Sequence, residues 1–313
     1  MKKPVRIAVI GSGRWGTNII RTLKTLSGVE VAYVVTRDYQ TLISKNDIDA
    51  VVVATPPKSH VTVALPFIKK GLPVFIEKPL SLSLTEGKRL LRASRESGSL
   101  VFVGHIHLYN PAFIEAKKEI GKAGKLTYLL GEGMSNGPFR DDYSALWDWA
   151  PHDLSMMLAI AKEIPRSVEA WGLSITRPKT RLHDITILKL LFPSGLVGVI
   201  HSSKLSPEKR RKLTVQGSKH TVAYDDTLPE QKVTVYKGHA PKINTGRVIE
   251  NQPVLSHPLY ENVSPLTREL EAFLQMIKTK KKPVADIESG LAVVQILEAA
   301  EKSMSAGGKK TRI

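Results

Sequence analysis

Six residues near the amino end, Gly11-Ser12-Gly13-Arg14-Trp15-Gly16, constrain the fold more than any other stretch. They follow a β-branched apolar run at 5–10 and precede a helical pattern, so three glycines sit where a strand must turn into a helix. In that context the first glycine permits the tight turn and the second lets backbone approach a phosphate. The third lets the helix pack on the strand with its N-terminal N–H groups aimed at the anion. A carboxylate about 20 residues on would accept hydrogen bonds from a ribose. Here Thr36 stands at that distance from Gly16 and is followed by Arg37 and Asp38. A small hydroxyl beside an arginine suits a 2′-phosphate, which favours NADP(H), while Asp38 keeps NAD(H) open.

From 5 to about 105 short apolar runs (5–10, 29–35, 50–54, 74–76 and 100–103) alternate with helical patterns after Gly13, at 60–69 and at 84–97. This alternation predicts βαβ units and a parallel sheet covered on both faces. After residue 120 the pattern changes to short strands at 185–192, 196–203, 213–216, 221–224 and 233–236, with Pro193-Ser194-Gly195 as a hairpin loop. The fold class is therefore α/β: a Rossmann-like parallel-sheet domain over 1–121, and an α+β domain with an open, mostly antiparallel sheet over 122–313. Ser264-Pro265 opens a helix with apolar Leu266, Leu270, Phe273, Leu274 and Ile277, and a last helix follows Asp286 and stops by Gly307-Gly308. Both are expected to cover one face of the antiparallel sheet.

Two segments stand at strand carboxyl ends, the rim where open α/β sheets bind ligands. Ala54-Thr55-Pro56-Pro57 leads to His60 after the third strand, and Glu77-Lys78-Pro79 follows the fourth. A lysine just after a buried strand is partly desolvated, which lowers its pKa and suits it to proton transfer or to polarising a reacting oxygen. Further on, Trp147-Asp148-Trp149-Ala150-Pro151-His152-Asp153 begins a helical pattern. Histidine titrates near neutrality, so His152 is a general acid/base candidate, with Asp148 one turn before it.

Taken together these motifs resemble the glucose–fructose oxidoreductase/inositol dehydrogenase (Gfo/Idh/MocA) family of NAD(P)-dependent sugar oxidoreductases. The resemblance runs over nearly the whole chain and includes Tyr109-Asn110-Pro111-Ala112 and Phe192-Pro193-Ser194-Gly195. It implies a Rossmann domain plus an open-sheet domain, with substrate bound between them. It implies catalytic roles for Lys78, His152 and Asp148, the lysine in a proton relay and the histidine as acid/base. Cofactor contacts are expected from Gly11, Gly13, Arg14, Trp15, Gly16, Thr36, Arg37, Thr55, Pro56, His60, Glu77 and Lys78. Substrate contacts are expected from Lys78, Tyr109, Asn110, Asp148 and His152. The Ala150-Pro151-His152-Asp153 wording looks most like members associated with nucleotide-sugar biosynthesis, which act at a sugar ring carbon. One departure stands out: members usually place about 15–20 residues of helix after the second strand, as a parallel crossover requires. Here Thr36-Arg37 runs directly into Asp38-Tyr39, so the adenosine side of the cofactor site is expected to be open or remodelled.

Composition narrows the alternatives. With no cysteine, disulfides, zinc-thiolate sites, iron–sulfur clusters and thiol nucleophiles are excluded. No metal is expected, because neither an H-E-x-x-H nor a paired-histidine cluster is present. No stretch approaches the ~20 apolar residues of a membrane helix. Gly11, Gly13 and Arg14 interrupt the first apolar run before it could serve as a signal peptide, so a cytoplasmic location is expected. The net charge of +17 steers anions such as a sugar nucleotide, and the basic clusters at 209–212, 278–282 and 309–312 read as solvated loops and a tail rather than a nucleic-acid surface. An open sheet leaves an apolar face to bury, which points to a homo-oligomer. Two other readings stay open: a reductase or dehydrogenase of a free sugar, polyol or other small carbonyl compound, and a non-catalytic nucleotide-sensing or nucleic-acid-binding protein on the same scaffold.

Overall fold

The β-branched runs of the first half become strands, and the three at 50–53, 74–77 and 101–104 are buried along their whole length, as a sheet covered on both faces requires. The computed structural model describes residues 3–139, 141–238, 242–244, 247–249 and 252–313. Strands β1 (Val5–Ile10), β2 (Val29–Val35), β3 (Ala50–Val53), β4 (Val74–Glu77) and β5 (Val101–Gly104) form a parallel sheet in the order β2-β1-β3-β4-β5. Helices α1 (Arg14–Thr25), α2 (His60–Lys69) and α3 (Leu84–Ser97) connect them. Ser83 caps α3 by accepting from the Glu86 N–H, and Gly98 ends it in the left-handed conformation.

The crossover from β2 to β3 holds only a 3-10 turn, Tyr39–Leu42. Polar groups tie this crossover to the starts of β1 and β2. Arg6 on β1 donates to Asp47 Oδ2 (3.0 Å) and Glu30 Oε1 (2.5 Å), and the Tyr33 hydroxyl donates to Asp47 Oδ2 (2.8 Å). Leu42 and Ile48 supply the short apolar lining. β2 is half-buried along most of its length.

The second half contains helices α4 (Pro111–Ile120) and α5 (Ala145–Ala161) and strands β6 (Leu126–Asn136), β7 (Ser167–Leu173), β8 (Ile185–Leu191), β9 (Val197–Ser203), β10 (Leu205–Gly217), β11 (His220–Asp225) and β12 (Val233–Lys237). A small ribbon, β13 (Lys242–Asn244) and β14 (Arg247–Ile249), precedes β15 (Val254–Ser256), α6 (Pro265–Thr279), α7 (Ile287–Ser305) and β16 (Thr311–Arg312). Nine strands form one sheet in the order β15-β12-β11-β10-β6-β9-β8-β7-β16. It is antiparallel apart from the β6–β9 pair. The fold class is thus as expected: a parallel Rossmann sheet and a mostly antiparallel second sheet.

Two features differ from the sequence reading. The basic residues 209–212 are part of β10, the longest strand, rather than a loop. The chain divides into a unit of Met1–Asn110 with Val263–Gln295 and a unit of Pro111–Asn262 with Ile296–Ile313. So α6, expected on the antiparallel sheet, belongs to the first unit. Its Phe273 meets Phe75 and Phe102 edge-on at 5.6 and 5.7 Å, and those two rings stack on each other at 5.2 Å. The segment after α6 also joins the first sheet: the Val103 N–H donates to Ala285 O (2.8 Å), and Asp286 bridges Phe102. Satisfying the open edge of β5 in this way draws both helix starts to the parallel sheet.

Candidate active site

In the first unit the glycine turn is built for an anion. Gly11 has φ of 104°, and a Cβ there would come within 2.5 Å of Ala54 O. A Cβ on Gly16 would run into the Gly11 carbonyl, whereas above Gly13 nothing lies within 4 Å. Gly13 caps α1 without a side-chain bond, and the first turn of α1 holds no acid. Its leading N–H groups and the helix dipole are therefore free to receive a phosphate, and the cradle fits a dinucleotide pyrophosphate. Arg14 stands exposed beside it. Ser12 Oγ lies 3.3 Å from Thr36 Oγ1, which brings the end of β2 to the turn, and Arg37 follows on the surface.

Trp15 turns its indole away from the glycines and donates to Glu77 Oε1 (2.5 Å). Glu77 Oε2 accepts from the Lys78 N–H (3.2 Å), so the carboxyl links the glycine turn to the lysine at the end of β4. Burial pushes the Glu77 pKa up to about 7, a rise that the Trp15 bond and the Lys78 charge hold back. Lys78 itself is half-buried.

His60 does not offer its ring to a ligand. It is 0% exposed, with Nδ1 2.8 Å from Pro79 O and Nε2 2.8 Å from Thr55 O. It ties the loop after β3 to the loop after β4, and burial holds its pKa below the ordinary value. Thr55 Oγ1 accepts from Ser59, and Pro56 is exposed at the rim. Tyr109, expected at the substrate, is likewise committed to the fold. Its ring stacks on Phe102 at 5.2 Å, and its hydroxyl accepts from the Ala285 N–H (3.2 Å). Asn110 is 3% exposed.

In the second unit α5 carries Asp148 and His152 one turn apart, on one helix face. Asp148 is buried against Lys204 of the β9–β10 junction, Nζ to Oδ2 3.3 Å, with side chains 3% and 8% exposed for the lysine and the aspartate. Lys204 Nζ also donates to Tyr143 O (3.3 Å). His152 is half-buried. Trp149 and Asp153 point to β6, where two glycines make the close approach possible. A Cβ on Gly131 would lie 2.8 Å from Asp153 Oδ1, and one on Gly133 would lie 3.1 Å from Asp153 Oδ2. The Arg211 guanidinium stacks 3.6 Å over the Trp149 ring while Nη1 donates to Met134 O (2.9 Å). Burial pushes Asp153 up to about 7 against the pull of Arg211.

Sequence reasoning missed Lys204, Arg211 and Trp149 as site neighbours. Lys204 follows the polar His201-Ser202-Ser203 end of a strand, where nothing in the sequence sets it apart from a surface lysine. Arg211 was hidden in a run of like charges. No group of three or more histidine or acidic residues that could hold a metal ion occurs among the described residues. No helix there is long and apolar enough to cross a membrane.

Two family models match the chain. One describes an oxidoreductase family with an NAD-binding Rossmann fold, over residues 27–105, and the other the GFO/IDH/MocA C-terminal domain, over 121–223. The scyllo-inositol 2-dehydrogenase (NAD(+)) of Bacillus subtilis (strain 168) is 26% identical, with 92% of this chain and 91% of the relative covered. The UDP-N-acetylglucosamine 3-dehydrogenase of Acidithiobacillus ferrooxidans is 27% identical over 54% of this chain and 53% of its own. A solved structure from Magnetospirillum magnetotacticum MS-1 is 30% identical with a TM-score of 0.81, covering 95% of this chain and 99% of that one. The chain belongs to the Gfo/Idh/MocA family of oxidoreductases, enzymes built on an NAD-binding Rossmann fold.

Proposed function

We propose that this enzyme moves a hydride between nicotinamide C4 and a CH–OH carbon of a sugar ring, with a nucleotide sugar as the substrate. The nicotinamide supplies the hydride chemistry when bound. In the oxidation direction His152 takes the hydroxyl proton and passes it to solvent, and Lys78 stabilises the developing alkoxide. Asp148, held by Lys204, orients the sugar. The observation that carries the nucleotide-sugar reading is Arg211. It is stacked on Trp149, the residue beside Asp148, and among the described residues its Nη1 alone is bonded, to backbone carbonyls, so its other donors suit an anionic diphosphate. The uridine diphosphate sugar named for the Acidithiobacillus relative supports it. A free polyol is the second reading, favoured by the inositol dehydrogenase relative. A panel of uridine and thymidine diphosphate sugars set against inositols and free sugars separates them. Turnover confined to the diphosphates, and weakened in Arg211→Ala, supports the first reading, whereas equal turnover of inositols in both proteins refutes it.

The paired Ser12 and Thr36 hydroxyls and the exposed Arg37 favour NADPH over NADH. Fluorescence titration is expected to give the tighter binding for NADPH, with the preference lost in Arg37→Ala by roughly tenfold, the size of one charge-assisted hydrogen bond. Equal affinities in the unmodified protein would remove this assignment.

The outer face of the second sheet supports a homo-oligomer. Trp171 and Ile187 are register partners on β7 and β8, 53% and 39% exposed, and Leu173 follows at 38%. Light scattering is expected to find more than one copy, and Trp171→Asp is expected to give the monomer. A monomeric wild type would show that this face stays bare.

A further inference from the structure

Two carboxyl groups of the first unit are buried close together, and only one of them has hydrogen-bond partners. Glu77 ends β4 and is 8% exposed. Glu269 of α6 is 0% exposed, and neither of its oxygens has a hydrogen-bond partner. The sheet explains their closeness. Phe75 pairs with Phe102 across β4 and β5, and two residues on, over the same face, Glu77 pairs with Gly104. Phe273 of α6 sits on the two phenyl rings, and Glu269 precedes it by one helical turn, on the same stripe. Gly104 leaves the room the Glu77 carboxyl takes: a Cβ there would lie 3.0 Å from Oε2.

Two carboxylates in so dry a place do not both ionise. Burial raises Glu269 well above the ordinary carboxyl range, and the Glu77 charge raises it further. Glu77 has the partners that an anion needs, the Trp15 indole from α1 and the Lys78 N–H, whereas Glu269 has none. The other titratable groups around them keep one state near neutrality. His105, at the end of β5, is held neutral, its pKa lowered to about 3 by burial and by Lys78. Tyr109, raised by burial and by Glu269 and Asp286, stays protonated.

We propose that Glu77 and Glu269 share a single negative charge, with Glu269 as the protonated member, and that this charge makes the first unit discriminate between oxidised and reduced nicotinamide. The inference rests on the dinucleotide reading above. The two redox forms carry the same pyrophosphate and differ by one positive charge on the ring, so the ratio of their affinities isolates the electrostatic effect of the pair. Glu269 is a positioning residue: staying neutral beside Glu77, it keeps the pair from carrying two charges.

The test measures dissociation constants of oxidised and reduced dinucleotide from about pH 5.5 to pH 8.5, since the pair is expected to lose its first proton near 7. In the unmodified protein the preference for the oxidised form is expected to grow on the order of fivefold as pH rises through that range, the effect of one added negative charge. Glu269→Gln replaces a neutral acid by a neutral amide and is expected to keep this profile. The double variant Glu77→Gln/Glu269→Gln, checked for fold by circular dichroism, is expected to bind both forms with a ratio that no longer depends on pH. If the unmodified protein binds both forms at a ratio that does not move with pH, the proposal falls and the dinucleotide reading stands. If it binds neither form, the dinucleotide reading falls, and the proposal with it.

Discussion

Replacing His152 with alanine is expected to lower turnover by about 10²- to 10⁴-fold, the contribution of a positioned acid/base. The residue is half-buried on α5, one turn past Asp148, so its loss leaves the buried Asp148–Lys204 pair in place. Lys78→Ala is expected to cost about 10²- to 10³-fold in turnover, the size of one lost electrostatic stabiliser of a developing oxyanion. The two losses separate by pH. Without His152 the rate should rise with hydroxide, which replaces the missing base, whereas without Lys78 the histidine's titration should remain in the profile. Stopped-flow measurement of nicotinamide absorbance with the true substrate checks both. Wild-type turnover in both variants would remove the two residues from the mechanism.

Lys204→Met is expected to destabilise the second unit by about 3–5 kcal/mol, because it leaves the buried Asp148 carboxylate without its ion partner. The loss comes from the stranded charge more than from the pair's own attraction. The double variant Lys204→Met/Asp148→Leu is therefore expected to recover most of the stability while losing turnover. Urea denaturation followed by tryptophan fluorescence reads this unit, which holds Trp147, Trp149 and Trp171. If Lys204→Met alone changed stability by less than about 0.5 kcal/mol, Asp148 would be protonated or hydrated there and the pair would not hold it for substrate.

Local chemistry made much of this molecule legible in its sequence. The glycine turn could be read because each glycine answers a steric demand: Gly11 and Gly16 each lack room for a Cβ. Lys78 could be placed at a strand end because the β-branched run before it has to stop there. What escaped depends on partners far along the chain. β6 was not anticipated, since Gly131 and Gly133 break a strand pattern, and their reason is the approach of Asp153 from α5. The apolar stripe of α6 told that the helix is covered but not by which sheet, and Phe273 on Phe75 and Phe102 decides it. Glu269 would ordinarily be read as surface on such a helix, as acids are, yet it is fully buried. Tyr109, Asn110 and His60 fall within motifs at the site, but the structure spends the Tyr109 hydroxyl and both His60 ring nitrogens on backbone carbonyls and an N–H. A motif marks a neighbourhood. Which side chains face a ligand depends on the hydrogen bonds the fold has already claimed.

Isotope transfer from the cofactor reads whether hydride passes directly to a sugar carbon. Reduced cofactor carrying deuterium at nicotinamide C4 is incubated with the keto forms of diphosphate sugars and of inositols, and the products are read by mass spectrometry. One deuterium is expected in the ring of a diphosphate sugar, with the yield collapsing in His152→Ala. Bound cofactor that never passes its deuterium to any of these compounds, together with steeply salt-dependent retention on nucleic acid, would contradict it.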